Sequence, residues 1–271
     1  MPERKEHWSA GDLYEPYVGR WSRKVAVEFL GWLHIPAHAQ WLDVGCGTGA
    51  LTQAVLRVAQ PASIVGIDAS PAFIDFAQAL TPDPRARYEV GYAQALPLAE
   101  HTFDVVVSGL MINFVPQPEV AVAEMARVVR PGGFVAAYVW DYIEGMELMR
   151  YFWDAAVKLN PNALESSEGR RFAMCRPEPL TALFEQAGLT QVEVRALDVP
   201  THFRDFDDYW SPFLGGQGPA PSYAMALSEA ERLRLRELIR EALPELEDGS
   251  IDLHARAWGV RGRGKATAAV T

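Results

Sequence analysis

The sequence predicts an α/β fold built on a parallel sheet, and three observations predict it. Short apolar segments between residues 40 and 140 read as five strands. Helix-patterned segments alternate with them, the order that produces parallel pairing. A turn with three glycines, "GCGTG" at 45–49, follows the first strand, where α/β folds place their ligands.

Residues 22–33, "SRKVAVEFLGWL", carry Val25, Val27, Phe29, Leu30 and Leu33 at roughly helical spacing, and Pro36 ends the pattern. "QWLDV" (40–44) is the first strand and "ALTQAVLRVA" the helix after it. "SIVGID" (63–68) is the second strand, ending on an acid. "SPAFIDFAQAL" is a helix with Ser70 as N-cap and Pro71 at its first position, where no N–H is lost. "ARYEV" (86–90) is the third strand. "TFDVVVSGL" (102–110) is nearly continuous in apolar residues, as a strand covered on both faces should be. "PEVAVAEMARVVR" (118–130) is a helix with Val120, Met125, Val128 and Val129 inward, terminated by "PGG". "FVAAYVW" (134–140) is the fifth strand.

Beyond residue 140 the pattern loosens. A helix is expected over 144–160, then a polar linker to about 176. "PEPLTALFEQAG" (177–188) is a helix closed by Gly188, and "TQVEVRALDV" (190–199) an alternating strand. An aromatic, Gly- and Pro-rich segment fills 201–227. A charged amphipathic helix follows over 228–243, then a last strand over 250–260. Nothing in the composition demands a second independent domain. The expected organisation is one domain over 1–271, with an N-terminal cap and first helix at 1–40 and a ligand-binding core at 41–140. Insertions at 141–176 and 201–249 are the candidate substrate caps.

The formal charge is −10, from 35 acidic and 25 basic residues, which argues against nonspecific binding to nucleic acid or anionic membranes. No apolar signal core opens the chain and no run reaches the ~18 apolar residues of a membrane span, so a cytoplasmic protein is expected. Cys46 and Cys175 have no metal-ligand or redox spacing, and no histidine–carboxylate cluster suggests a metal.

At the turn, Gly45 and Gly47 permit positive φ and close backbone approach, and the helix opening near Thr48 offers free N–H groups. Asp43, two residues before the first glycine, is placed to orient the turn. About twenty residues on, Asp68 can accept both hydroxyls of a ribose. An adenine nucleoside is therefore expected. The string Gly45-x-Gly47-x-x-Ala50 also fits the degenerate dinucleotide pattern, which by itself is a weak signal.

The order of "LDVGCGTG" (42–49), "VGIDAS" (65–70), "GYAQALPL" (91–98), "FDVVVSGLMINFV" (103–115) and "MARVVRPGG" (125–133) resembles the class I S-adenosylmethionine-dependent methyltransferases. The likeness is strongest to the small-molecule members of ubiquinone and menaquinone biosynthesis, and "YEPYVGRWSR" (14–23) resembles their N-terminal cap. The resemblance implies a Rossmann-like three-layer sandwich of seven strands, ordered 3-2-1-4-5-7-6 with strand 7 antiparallel. It implies S-adenosyl-L-methionine as cofactor. Gly45 and Gly47 would approach its methionine part, with Cys46 filling the turn between them. Asp68 would take the ribose and Ala69 the adenine face. Ala93 and Gln94 would lie near the adenine amino edge, and Ser108 and Gly109 toward the sulfonium. Tyr92 stands where the family often has an acid, so stacking, a phenol hydrogen bond or simple space-filling replaces the usual contact. Tyr14, Tyr17, Arg20 and Trp21 read either as a surface flap or as a lid, with Arg20 or Arg23 near the methionine carboxylate.

Methyl transfer needs an aligned nucleophile, excluded water and sometimes a base. Asn113 is the first catalytic candidate, because a polar residue in an apolar stretch needs a hydrogen-bond role. Asp141, after the fifth strand, is either a cap or a substrate contact. His202, in the aromatic segment, is the nearest thing to a general base. Phe114 reads as core, Trp140 as facing the ligand side, and His254 as structural. Arg170, Arg171 and Arg176 form either a solvated loop or an anion site. The expected reaction is transfer of the sulfonium methyl to an O, N or C atom of a small organic acceptor, aromatic or anionic. The expected protein is a monomer or homodimer without nucleic-acid or integral membrane partners. The alternatives are a non-methylating enzyme that uses the same cofactor, a nicotinamide oxidoreductase, or a cofactor-binding regulatory subunit.

Overall fold

The computed structural model describes residues 15–215 and 218–266, with side chains from Tyr17 onward; Tyr14 lies outside them. After one π-helical turn at Glu15–Gly19 come α1 (Arg20–Leu33), β1 (Gln40–Val44), α2 (Ala50–Val58), β2 (Ser63–Asp68), α3 (Pro71–Leu80) and β3 (Ala86–Val90). Then come β4 (Phe103–Gly109), α4 (Pro118–Val128), β5 (Val129–Trp140), α5 (Glu147–Leu159), the one-turn α6 (Glu168–Arg171) and α7 (Pro177–Gln186). β6 (Thr190–Phe203), α8 (Phe206–Trp210), α9 (Pro219–Ala226), α10 (Glu229–Ala242) and β7 (Ile251–Arg263) complete the order.

The strands form one seven-stranded sheet in the order β3-β2-β1-β4-β5-β7-β6. Pairing is parallel from β3 through β5. β7 runs the other way. Its partners fall as β5 rises: the Gly132 N–H donates to Gly264 O at 3.0 Å and the Asp141 N–H to Arg256 O at 2.9 Å. Side-chain pairs give the same sense against β6, with Glu193 on Arg261, Asp198 on Arg256 and Asp252 on His202. This is the expected seven-stranded, Rossmann-like topology.

The chain divides into two compact units. The sheet unit comprises Ser22–Val139, Met174–Leu197 and Ala257 onward. The aromatic unit comprises the described residues up to Trp21, with Trp140–Ala173 and Asp198–Arg256. In the sheet unit, Trp41, Leu42 and Val44 of β1 and Val105, Val106 and Val107 of β4 are buried, as strands covered on both faces require. Ser70 caps α3 by accepting from the Phe73 N–H.

Several boundaries differ from expectation, each for a physical reason. β5 begins at Val129 rather than 134, because Arg130 pairs with Asp104 at 2.6 Å and Gly132 and Gly133 bond to Gly264. "PGG" is thus the irregular start of a strand, where the register shifts and a proline is tolerated. Val120 is exposed on α4; Ala121, Val122, Met125 and Val128 face inward. Val27 is likewise exposed on α1. The expected polar linker at 161–176 is instead a 3-10 turn (Pro161–Ser166) and α6, capped by Ser167 and tied down by buried Glu168. The aromatic segment continues β6 to Phe203 and then forms α8, a 3-10 turn (Ser211–Gly215) and α9. Its Phe203, Phe206, Tyr209, Trp210 and Phe213 are all buried.

Candidate functional site

The glycine turn lies at the carboxyl end of β1 and is pinned to β2. The Gly45 and Cys46 N–H groups both donate to Ile67 O, at 2.7 and 3.0 Å. Gly45 has φ +72, and a Cβ there would lie 2.3 Å from Met111 Cγ. That glycine is needed to let the end of β1 close on the segment after β4. Gly47 has φ +52, and a Cβ there would meet nothing within 4 Å. Its missing side chain leaves open space above the turn, the cradle a ligand needs.

Asp68 ends β2 and braces this cradle. One oxygen accepts from the Gly47 N–H at 2.9 Å and the other from the Ser70 N–H at 2.9 Å. Each carboxylate oxygen keeps lone-pair capacity beyond that bond. The Asp68 carbonyl accepts from the Gly91 N–H at 2.9 Å, which brings the 91–95 turn beside the end of β2. In that turn Ala93 and Gln94 are half-buried, and Tyr92 is 65% exposed. Ala69 is exposed.

Asp43 is fully buried; its Oδ2 accepts from the Thr52 hydroxyl at 2.7 Å, tying β1 to α2, and its Oδ1 has no partner among the described residues. Burial pushes its carboxyl up to about 7, with Asp68 adding to the rise and Thr52 opposing it. Burial, reinforced by Asp43 and Asp68, also pushes the Cys46 thiol well above its ordinary range. Cys46 is therefore a packed, protonated side chain and not a nucleophile.

At the end of β4, Ser108 is buried and its hydroxyl has no partner among the described residues. A Cβ on Gly109 would stand 2.6 Å from the Tyr138 hydroxyl, so this strand end also depends on a missing side chain. Asn113, in the 3-10 turn Ile112–Phe114, is 8% exposed, and neither its Oδ1 nor its Nδ2 finds a partner among the described residues. Buried polar groups are normally satisfied, so unpartnered atoms on Ser108 and Asn113 mark a place where a ligand completes the bonding. Phe114 is exposed rather than core.

Of the remaining candidates, Arg23 is exposed on α1. In the aromatic unit, Arg20 is committed to Asp208, at 3.1 and 3.2 Å, and stacks over Trp21 and Phe203 at 4.3 and 4.8 Å. Tyr17 is buried, edge-on to Phe213 at 5.5 Å. Trp140 is buried as well. Asp141 is buried and caps its own turn: its Oδ1 accepts from the Ile143 and Glu144 N–H groups at 3.3 and 3.2 Å. His202 is exposed, with Nδ1 2.7 Å from Asp252 across the β6–β7 pair. His254 is also exposed, 3.8 Å from Glu147. Arg170 is exposed, 3.8 Å from Glu165.

One residue escaped the sequence reading. Glu168 is 2% exposed. Its carboxylate accepts from the Trp153 indole N–H and from the Ala220 N–H, the latter at 3.2 Å. Burial pushes this carboxyl up to about 7, against the lowering effect of those bonds and of Arg171. Placed just after a serine cap, it reads in sequence as an ordinary first-turn acid.

Comparison with known proteins agrees with this geometry. Residues 42–137 match a family model described as a methyltransferase domain. A 2-methyl-6-phytyl-1,4-hydroquinone methyltransferase from Synechocystis is 28% identical, over 79% of this chain and 69% of the relative. A demethylmenaquinone methyltransferase from Bacillus licheniformis is 30% identical, over 59% of this chain and 75% of the relative. Among solved structures, the BH2331 protein of Bacillus halodurans shares the fold with a TM-score of 0.60 at 15% identity, over 89% of this chain and 99% of the other.

Proposed function

This chain belongs to the class I S-adenosylmethionine-dependent methyltransferases, and we propose that its acceptor is a small hydroxylated aromatic of quinol type. The enzyme transfers a methyl group to a small organic molecule. The observation that carries the cofactor reading is the open cradle at Gly47, braced by Asp68 and followed by unpartnered polar atoms on Ser108 and Asn113.

The residues fit the cofactor. We assign Gly45, Cys46 and Gly47 to its methionine portion and Asp68 to the ribose hydroxyls. Ala69, Tyr92, Ala93 and Gln94 are assigned to the adenine, and Ser108 and Gly109 to the neighbourhood of the sulfonium. When bound, S-adenosylmethionine supplies a methyl group on a cationic sulfur, which is electrophilic without help from the protein. The chain's own work is then positional. The Gly47 and Ser70 N–H groups hold the Asp68 carboxylate in one orientation, so its free lone pairs are aimed before a ligand arrives. Asn113 offers a donor and an acceptor in a dry setting, where a hydrogen bond to an acceptor oxygen fixes orientation most strongly.

The acceptor class rests on the relatives: the Synechocystis protein is named for a phytyl-hydroquinone and the Bacillus licheniformis protein for demethylmenaquinone. The test is methyl transfer from labelled S-adenosylmethionine to a panel of quinols, simple phenols, aliphatic amines and acyl carboxylates. Labelled product from ring-hydroxylated compounds is expected. Label on amines or carboxylates alone, with none on any hydroxylated ring, would refute the acceptor assignment.

A further inference from the structure

Leu233 breaks the pattern of its helix. α10 turns Leu235 and Ile239 into the core. At about 100° per residue Leu233 lies well off that stripe. At 56% it is more exposed than any other large aliphatic side chain among the described residues. A single surface leucine needs no explanation, but this one has company. It borders a cavity of about 350 Å³, with Glu229, Arg232 and Arg236 of the same helix along one side. Trp210, Leu214 and Met225 form the rest of the lining, and Leu214 and Met225 are exposed as well. All of these residues belong to the aromatic unit.

Glu229, Arg232, Leu233 and Arg236 are spaced i, i+3, i+4 and i+7. Four residues so spaced form the diamond that receives one side chain of a facing helix in knobs-into-holes packing. The charges of this diamond are largely uncommitted. Glu229 has no hydrogen bond or ion pair among the described residues, not even with Arg232 one turn on. The Arg232 guanidinium meets the Met225 thioether at 3.4 Å, and no carboxylate among the described residues. Arg236 is shared between Asp207 and Glu237, at 3.1 and 3.3 Å, both of them exposed. A capping box between Ser228 and Glu231 fixes the start of the helix, so the diamond is a formed surface.

The lining decides which occupant fits. A small apolar ligand would take Glu229 and Arg232 out of water without bonding to either. An anion would meet Glu229, and a cation would meet both arginines. A partner carrying both signs in reverse order satisfies all three, and a second copy of this helix is such a partner. With two copies antiparallel about a two-fold axis level with Arg232 and Leu233, Leu233 of each copy enters the diamond of the other. Glu229 of each copy then stands opposite Arg236 of the other, with Arg232 one turn away. The parallel arrangement would set Glu229 against Glu229.

We propose that this face of α10, flanked by Met225 and Leu214, is the surface through which two copies of the chain pair antiparallel. One helix face is small for a stable interface, so the pairing is reversible and micromolar. It does not depend on the cofactor or acceptor readings.

The test is sedimentation velocity of the full chain, from low micromolar to several hundred micromolar. A monomer–dimer equilibrium that shifts with concentration is expected. Leu233→Glu and Glu229→Arg should each weaken it at least ~10-fold, by charging the central contact and by setting like charges together. The decisive arm mixes two variants. Glu229→Arg and the double variant Arg232→Glu, Arg236→Glu should each be monomeric alone and should pair when mixed. Melting curves show that each variant is folded, and S-adenosylhomocysteine affinity should match the parent in all of them. A parent that stays monomeric throughout overturns the proposal. So does undiminished pairing in folded Leu233→Glu and Glu229→Arg, or a mixture of folded variants that stays monomeric. If the double variant does not fold, the two single variants decide. An apolar dye, 1-anilinonaphthalene-8-sulfonate, that binds a monomeric parent but not Leu233→Glu would give the groove to a small ligand instead, and would likewise overturn it.

Discussion

Asp43 and Glu168 are buried carboxyls in different units, and both are pushed up to about 7 by the same cause, burial. Their surroundings differ. Asp43 accepts one hydroxyl, from Thr52, and stands behind a site made largely of backbone: a glycine turn, N–H groups, a strand end. Glu168 stands among side chains drawn from separate segments, with an indole, a phenol and stacked rings around it. The first arrangement is set by consecutive residues and backbone groups. The second is assembled from side chains far apart in the chain.

The largest effect should come from the glycine turn. Gly45→Ala combines a positive φ with a Cβ 2.3 Å from Met111 Cγ. It should cost about 3–4 kcal/mol of unfolding free energy, the sum of overpacking and left-handed strain. Gly47→Ala carries the φ without the clash and should cost only about 1 kcal/mol. Urea denaturation of both variants measures the gap. Equal costs would mean that the close approach of the turn to Met111 is not real.

The two carboxyls give the next effect. Each has a folded pKa near 7 and an unfolded value near 4. Their favourable contribution is complete below the unfolded value and is lost as pH rises through about 7. Asp43→Asn and Glu168→Gln should therefore each flatten the fall in stability between pH 5 and 8, by about 2–4 kcal/mol at most. Denaturation at the two pH values checks this. A slope that neither variant changes would show that both groups stay ionised when folded.

The smallest effect is expected at Arg20. Its ion pair with Asp208 is partly exposed, with side-chain exposures of 29% and 16%. Solvent screening reduces its worth, so Arg20→Ala should cost about 1 kcal/mol, including the lost stacking on Trp21 and Phe203. Cofactor affinity should be unchanged. A large fall in that affinity would return Arg20 to the cofactor's carboxylate.

The contrast also explains what could be read in advance. The turn was legible because its requirements are local: β1, three glycines and the start of α2 are consecutive, and Asp68 follows at the next strand end. The sheet order came with the resemblance carried by those motifs. The Asp43 bond to Thr52 is not announced locally, since Thr52 lies nine residues on, within α2. Glu168 reads in sequence as an ordinary acid beside Arg170 and Arg171. Its partners Trp153 and Ala220 are 15 and 52 residues away, and no local pattern announces them. Nor does local pattern show that the rings of 203–213 pack as core, because no regular spacing runs through that segment. "PGG" misled for a related reason: a helix-stop signal is local, whereas the bonds to Gly264 that make it a strand come from the far end of the chain.

The most direct measurement of the central claim is a calorimetric titration of the parent and of Asp68→Ala with S-adenosylmethionine, S-adenosylhomocysteine and NADH. The account predicts micromolar binding of both sulfur nucleosides and none of NADH. It predicts a loss of roughly 1–3 kcal/mol in the variant, the worth of a buried hydrogen-bonded contact. Silence from both sulfur nucleosides in folded parent protein, or undiminished affinity in a folded Asp68→Ala, would contradict it.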